Sequence, residues 1–200
     1  MNDLAGALPA GYADRSHAAQ QVFRATMWAM ARPGCIAQLP VSGGAPAPLA
    51  AGAAALLLAL ADYETPVWLD DTLANVAEVG ELIRFHTGAP VTVDPSESMI
   101  AVVAEPARMP PLAAFRQGTL EYPDRSTTVI LQMDQLGTDG FWLEGPGIDG
   151  RHRLAAAPLP GDFLAQWAEN GAGYPCGVDV LLVAGERVAA LPRSIHIVGG

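Results

Sequence analysis

The basic residues of this chain narrow its chemistry first. All eleven are arginines, and no lysine is present. Arginine grips anionic oxygens through a planar, two-pronged fork and stays charged, so it serves binding better than proton transfer. The missing lysine excludes a pyridoxal Schiff base, a lysine general base and a phosphate-loop lysine. Anion binding remains. Arg84 and His86 in "LIRFHTGAP", Arg193 in "LPRSIHI", and Arg24 in "FRATMWAMARPG" are the candidate ligand-binding residues. Their cationic groups would make charge-assisted bonds to anionic oxygens. A plainer reading stands beside this one. Arg84 and His86 fall at the C-terminal end of a predicted helix, where cations offset the macrodipole. Arg193 follows a proline that cannot donate to a sheet ladder, which places it at a strand edge.

Nucleophilic and metal chemistry find less support. Ser194 and His196 lie two apart on a predicted strand, but no orienting group is evident and no G-x-S-x-G elbow occurs. Cys35 and Cys176 are distant in sequence and form no C-x-x-C, so they read as small buried hydrophobes. No H-E-x-x-H is present, and no metal site is expected. "GPG" (145–147) and "GAG" (171–173) lack the strand-then-helix context of a phosphate cradle and read as turns. Asp70-Asp71 reads as the solvated start of a helix. Met27, Trp28 and Met30 read as packing, in the core or at a subunit interface. No catalytic residue is expected.

The elements that must position these residues follow from periodicity. Residues 14–31 predict a helix capped by Asp14, with Val22, Met27, Met30 and the adjacent Phe23 as its apolar stripe. Arg32-Pro33-Gly34 stops it, and "CIAQL" (35–39) is the next strand. A buried helix spans 49–61 and a short strand 66–70. An amphipathic helix capped by Thr72 runs to about Phe85. "MIAVVAE" (99–105) and "TTVILQM" (127–133) are β-branched runs suited to buried central strands. A short helix at 111–116 precedes a loop at 118–126. "FWLEGPGI" (141–148) is a strand running into a tight Gly-Pro-Gly turn, a helix covers 160–169, and 178–197 reads as two strands around "AGER". Alternating strands and helices, then clustered strands, predict an α/β layered fold with a mixed sheet.

Two hundred residues, half of them apolar, suit one globular α/β domain over 1–200, with 1–13 a loosely ordered segment. A formal charge of −10 argues against nucleic-acid binding. The N-terminus has no basic region followed by an apolar core, so no signal peptide is expected. The longest apolar run, 49–61, is too short to span a bilayer. A cytoplasmic location and no membrane contact are expected.

The order of several blocks adds a resemblance. "FRATMWAMARPG" (23–34), "LLLALADYETPVWL" (56–69), "IRFHTGAP" (83–90), "TTVILQMDQL" (127–136), "LEGPGI" (143–148) and "YPCGVDVLLVAGERVAALPRSIHI" (174–197) resemble, in order and spacing, the H subunit family of the carbon–phosphorus lyase system. Within the last block, Cys176 stands where an apolar residue would be at home.

The resemblance implies a three-layer α/β/α sandwich similar to the large domain of pyridoxal-phosphate-dependent transferases, without the cofactor. It implies a homodimer that works with the G, I and J subunits in alkylphosphonate utilisation. It also implies support for a transfer that displaces adenine from ATP by phosphonate. The lysine-free composition agrees with a member that holds no pyridoxal phosphate, and no cofactor is expected. Two roles follow as alternatives. One is an assembly subunit without a complete active site. The other is a contributor of Arg24, Arg84, His86 and Arg193 to an ATP- or phosphonate-binding site. An unrelated small-molecule enzyme is a third.

Overall fold

The computed structural model describes residues 15–41 and 43–199, with the side chains of 15 and 16 excepted. Asp14, expected as a helix cap, and the segment 1–13 lie outside the described residues.

Among the described residues, ten strands and five α-helices follow one another as α1 (Arg15–Ala31), β1 (Ala37–Gln38), α2 (Ala51–Leu60), β2 (Val67–Leu69), α3 (Asp71–Ala74), α4 (Ala77–Thr87), β3 (Val91–Thr92), β4 (Ile100–Val103), β5 (Thr128–Gln132), β6 (Gln135–Glu144), β7 (His152–Ala157), α5 (Phe163–Ala172), β8 (Asp179–Ala184), β9 (Arg187–Leu191) and β10 (His196–Val198). The main sheet has the order β1-β9-β8-β5-β4-β2-β3. Strands β3, β2, β4, β5 and β8 are mutually parallel, and β9 and β1 join antiparallel, so the sheet is mixed as expected. A smaller antiparallel sheet has the order β10-β6-β7.

Both faces of the main sheet are covered, which is why its central strands are almost continuously apolar. The two-residue pleat sorts them. Val67, Leu69, Ile100, Val102, Ile130, Leu181 and Val183 face α1, α2 and α4. Trp68, Ala101, Val103, Val129, Leu131, Val180 and Leu182 face the other way. The α/β class and the layering around a mixed sheet hold. The far layer, however, is not helical alone. It combines α5, through Phe163 and Trp167, with Leu136, Leu143 and Leu154 of the small sheet and Leu112 and Phe115 of the β4–β5 connection. Trp167 donates its indole N–H to Ile195 O at 3.2 Å, so the buried ring keeps its polar atom satisfied.

Several local expectations are corrected. The buried stripe of α1 is Val22, Thr26 and Ala29, spaced by four and three residues, with Met30 packed beside it; of the expected stripe, Val22 and Met30 hold. Phe23, Met27 and Trp28 are exposed instead, at 46%, 42% and 40%. Large apolar residues had suggested the buried face, but the close approach of α1 to α2 and β9 selects small ones there. The helix expected from Thr72 to Phe85 is two helices. Asn75 bonds back to Asp71 O, and Val76 is extended (φ −104°, ψ 105°), which breaks the run. The cap of α3 is Asp70, whose Oδ1 accepts from Leu73 N at 3.1 Å. Thr72 bonds to Glu105. Asp70 is therefore buried and not a solvated helix start.

The helix at 111–116 is a single 3₁₀ turn, Leu112–Ala114. The strands around "AGER" form the β8–β9 hairpin as read, but 196–198 leaves it to pair with β6. Strand β7, with its mixed "HRLAAA" sequence, went unpredicted.

Candidate functional site

In open parallel sheets, ligands usually sit beyond the carboxyl ends of the strands, where neighbouring connections diverge. Here that edge is sealed by the chain itself. After β2 the chain turns to α3 and α4 on one face. After β4 it turns to Leu112 and Phe115 on the other. The Asp70 carboxylate fills the gap between them. Its Oδ2 accepts from Ala104 N at 2.7 Å and Glu105 N at 2.9 Å, while Oδ1 caps α3. One strand further, Gln132 closes the end of β5. Its Oε1 accepts from Ala50 N at 2.7 Å and its Nε2 donates to Pro48 O at 3.1 Å.

Two open hollows lie at the opposite, amino edge. One, of about 350 Å³, is lined by Ser96, Phe115, Arg116, Gln117, Gly118, Thr119, Tyr122 and Arg125. Ser96 precedes β4, and the rest precede β5. The segment is built to be rigid. Gln117 and Ser126 pair as an isolated antiparallel bridge. Arg116 is held on both sides of its peptide. Its N–H donates to Thr127 Oγ1 at 3.1 Å, and its C=O accepts from Thr127 N at 2.8 Å. Thr127 Oγ1 in turn donates to Ser98 O, anchoring the loop to the start of β4. The Gln117 amide donates to Leu112 O and Phe115 O. Gly118 turns the chain with φ +73°; a Cβ there would meet Pro123 O at 2.9 Å. Arg125 stacks on Tyr122, its guanidinium carbon 4.3 Å from the ring centroid.

Charge distinguishes this hollow. No carboxylate lines it. Among the described residues, ion pairs join Arg108 to Glu105, Arg151 to Glu144, Arg153 to Asp139 and Arg193 to Asp179. None includes Arg116 or Arg125. A hollow lined by arginine in a chain of net charge −10 is a local inversion of sign.

The adjoining hollow, about 300 Å³, is lined by Pro123, Asp124, Tyr174, Pro175, Asp179, Pro192, Arg193 and Ser194. Arg193 is here, but its fork is engaged. Its Nε donates to Asp179 Oδ1 at 3.1 Å and one Nη donates to Pro123 O at 2.7 Å. The other candidate residues sit apart. Arg84 is exposed, and His86 is half-buried, in the last turn of α4. The His86 ring meets Phe85 edge-on at 5.0 Å. Gly88 ends this helix in the left-handed region (φ +71°), donating to Arg84 O. Arg24 is exposed on α1. Arg24, Arg84 and His86 line neither hollow, so the four candidates do not share a cavity.

Arg116 and Arg125 were not singled out in the sequence. The signal that could have found them is an arginine on each side of a Gly-to-Tyr-Pro turn. Closing that turn brings residues nine apart to one cavity.

Ser194 precedes β10, and His196 is exposed on it. Cys35 is half-buried, its Sγ 3.9 Å from His152 Nε2, and Cys176 is also half-buried; neither is the fully buried hydrophobe expected. Among the described residues no group of three His, Cys, Asp or Glu side chains is placed to hold a metal ion. Among them, too, no helix is long and apolar enough to cross a membrane.

Comparison with known proteins fits this frame. A family model described as bacterial phosphonate metabolism protein (PhnH) matches residues 10–198. A Rhizobium meliloti (strain 1021) protein, alpha-D-ribose 1-methylphosphonate 5-triphosphate synthase subunit PhnH, is 41% identical over 187 residues, covering 93% of each chain. The protein HtxG of Stutzerimonas stutzeri is 37% identical over 86 residues, covering 42% of this chain and 44% of the relative. By a family match over almost its whole length, and by a relative this similar, the chain belongs to the PhnH family of bacterial phosphonate metabolism proteins.

Proposed function

We propose that this chain is a subunit of the carbon–phosphorus lyase machinery. In this reading it supports transfer of the ribose-triphosphate part of ATP onto an alkylphosphonate with release of adenine. It acts mainly as an assembly subunit, a single α/β domain without a complete active site of its own. The observation that carries this is the 41% identity to a named synthase subunit over 93% of both chains. The sealed carboxyl edge of the sheet supports it further, because Asp70 and Gln132 fill the place where such folds usually hold a ligand. A likeness to the large domain of pyridoxal-phosphate-dependent transferases, and a cytoplasmic location, belong to the same proposal; the lysine-free composition supports the former.

Homodimerisation is also proposed. Phe23, Met27 and Trp28 form an exposed apolar group on α1, and Arg32 stacks over Trp28 at 5.1 Å. Light scattering of the wild type and of Trp28→Glu tests it: a dimer that the variant weakens supports the reading, and a wild-type monomer removes it. The assembly role is tested by co-purification with the G, I and J subunits. Recovery of one stable complex supports it. A chain that stays free while the other subunits assemble would sink it.

The second reading gives Arg24, Arg84, His86 and Arg193 a part in holding ATP or phosphonate. Exposure of Arg24 and Arg84 favours it for those two. Arg84→Ala in the assembled complex should then lower activity; unchanged activity removes that role.

A further inference from the structure

We propose that the arginine-lined hollow at the amino edge of the sheet is a binding site for a tetrahedral phosphorus dianion, a phosphate or phosphonate group held between Arg116 and Arg125. The argument is electrostatic first. Four other arginines are matched by carboxylates, while these two meet none and line one cavity that contains no acid. Like charges brought together repel unless an anion lies between them. A dianion matches two guanidinium groups, whereas a carboxylate matches one fork.

The second part is preorganisation. The Arg116 backbone is fixed by its two bonds to Thr127, and Arg125 is steadied by the Tyr122 ring. Both features reduce the ordering that opposes binding. The third part is the wall. Thr119 Oγ1 accepts from Tyr122 N, which leaves its hydroxyl proton to donate to the ligand. Tyr122 gives apolar surface beside the cations, suited to the organic substituent of a phosphonate or a phosphate monoester. About 350 Å³ lies at the small end of the range for ligand pockets. The site stands on its own charge and geometry, and it rests on the proposed function only in the choice of methylphosphonate as the organic probe.

The test is calorimetry on the full chain with inorganic phosphate, methylphosphonate and acetate at equal ionic strength. Saturable millimolar binding of methylphosphonate is expected, with acetate much weaker. Arg116→Gln and Arg125→Gln should each weaken it by about tenfold or more, ~1.4 kcal/mol. Arg187→Gln, exposed on β9 and outside the hollow, should leave it unchanged. Arg125 is exposed and holds no backbone together, so its variant keeps the test valid if Arg116→Gln folds poorly. Phosphate and methylphosphonate binding alike supports a site that reads only the oxyanion. Methylphosphonate binding alone supports one that also reads the substituent. Binding of neither, or equal binding by wild type and both variants, overturns the proposal. Co-purification separates this from the subunit reading: lost binding in a chain that still assembles removes the site alone, and intact binding in a chain that does not assemble removes the subunit role alone.

Discussion

Arg193 reaches Asp179 with both backbone and side chain: its N–H and its Nε donate to the same Oδ1, at 2.8 and 3.1 Å. This joins the end of β9 to the start of β8, and a further bond to Pro123 O ties both to the β4–β5 loop. The pair is mostly buried, at 14% and 15% side-chain exposure. Removing one partner leaves a desolvated charge. Arg193→Ala should lower unfolding free energy by about 3 kcal/mol. Arg193→Lys should lower it by less, since the charge stays and the fork is lost. Urea denaturation reads both, and an unchanged midpoint for Arg193→Ala would deny the clamp a structural role.

Asp70 closes the sheet edge by accepting three backbone N–H groups. Asp70→Ala leaves all three without that acceptor and should cost about 2 kcal/mol. Asp70→Asn keeps one oxygen and should cost less. Amide exchange is the sharper readout. Ala104 and Glu105 should lose protection in Asp70→Ala, while amides in β8 keep theirs.

The Thr72 hydroxyl, donating to Glu105 Oε1 at 2.7 Å, holds the Glu105 carboxyl below its ordinary range; desolvation opposes this, and Arg108 adds to it. A carboxyl depressed in the fold contributes stability above its unfolded-state pKa and loses it as pH falls through the folded value. Thr72→Val should move the folded value up, so Glu105 protonates at higher pH. Carbon-detected titration of the carboxyl checks the direction. An identical titration in the variant would assign the shift to Arg108 instead.

Gly118 and Gly150 both lie in the left-handed region, at φ +73° and +70°, but only Gly118 is crowded. Gly150→Ala should cost about 1 kcal/mol for its backbone alone. Gly118→Ala adds contact with Pro123 O and should cost more, while weakening methylphosphonate binding because it distorts the Arg116–Arg125 loop. Thermal melts of the two variants, with calorimetry of Gly118→Ala, test this. Equal melting temperatures would mean that the loop yields without cost.

Long apolar runs were the most legible part of the fold. "IAVV" and "TVILQ" became central parallel strands because burial on both faces favours apolar residues at successive positions, here Ile100–Val103 and 129–131. α2 followed from an alanine- and leucine-rich run interrupted only by Gly52. The face of α1 was read in part: Val22 and Met30 do pack on the core, but side-chain size also suggested burial of Phe23 and Met27, whereas helix packing at that contact needed Thr26 and Ala29. β7 was illegible because "HRLAAA" covers the outer layer and carries little strand character. The site was the least legible part. Arg84 and His86 drew attention through their cluster, while Arg116 and Arg125 lay in what read as an ordinary loop.

The sequence by itself determined the chemical limits and the family. Without lysine, no Schiff base or lysine proton transfer is open to the chain, and six ordered blocks carried the resemblance that the family match supports. Which arginines share a cavity was decided only by tertiary structure. Asp179 occupies Arg193, α1 and α4 carry Arg24 and Arg84 away from the hollows, and the bonds of Thr127 to both sides of Arg116 hold it in the loop that lines one hollow together with Arg125. The reason is physical: residue type sets what a side chain can bind, but its partners in space decide whether that capacity is already used.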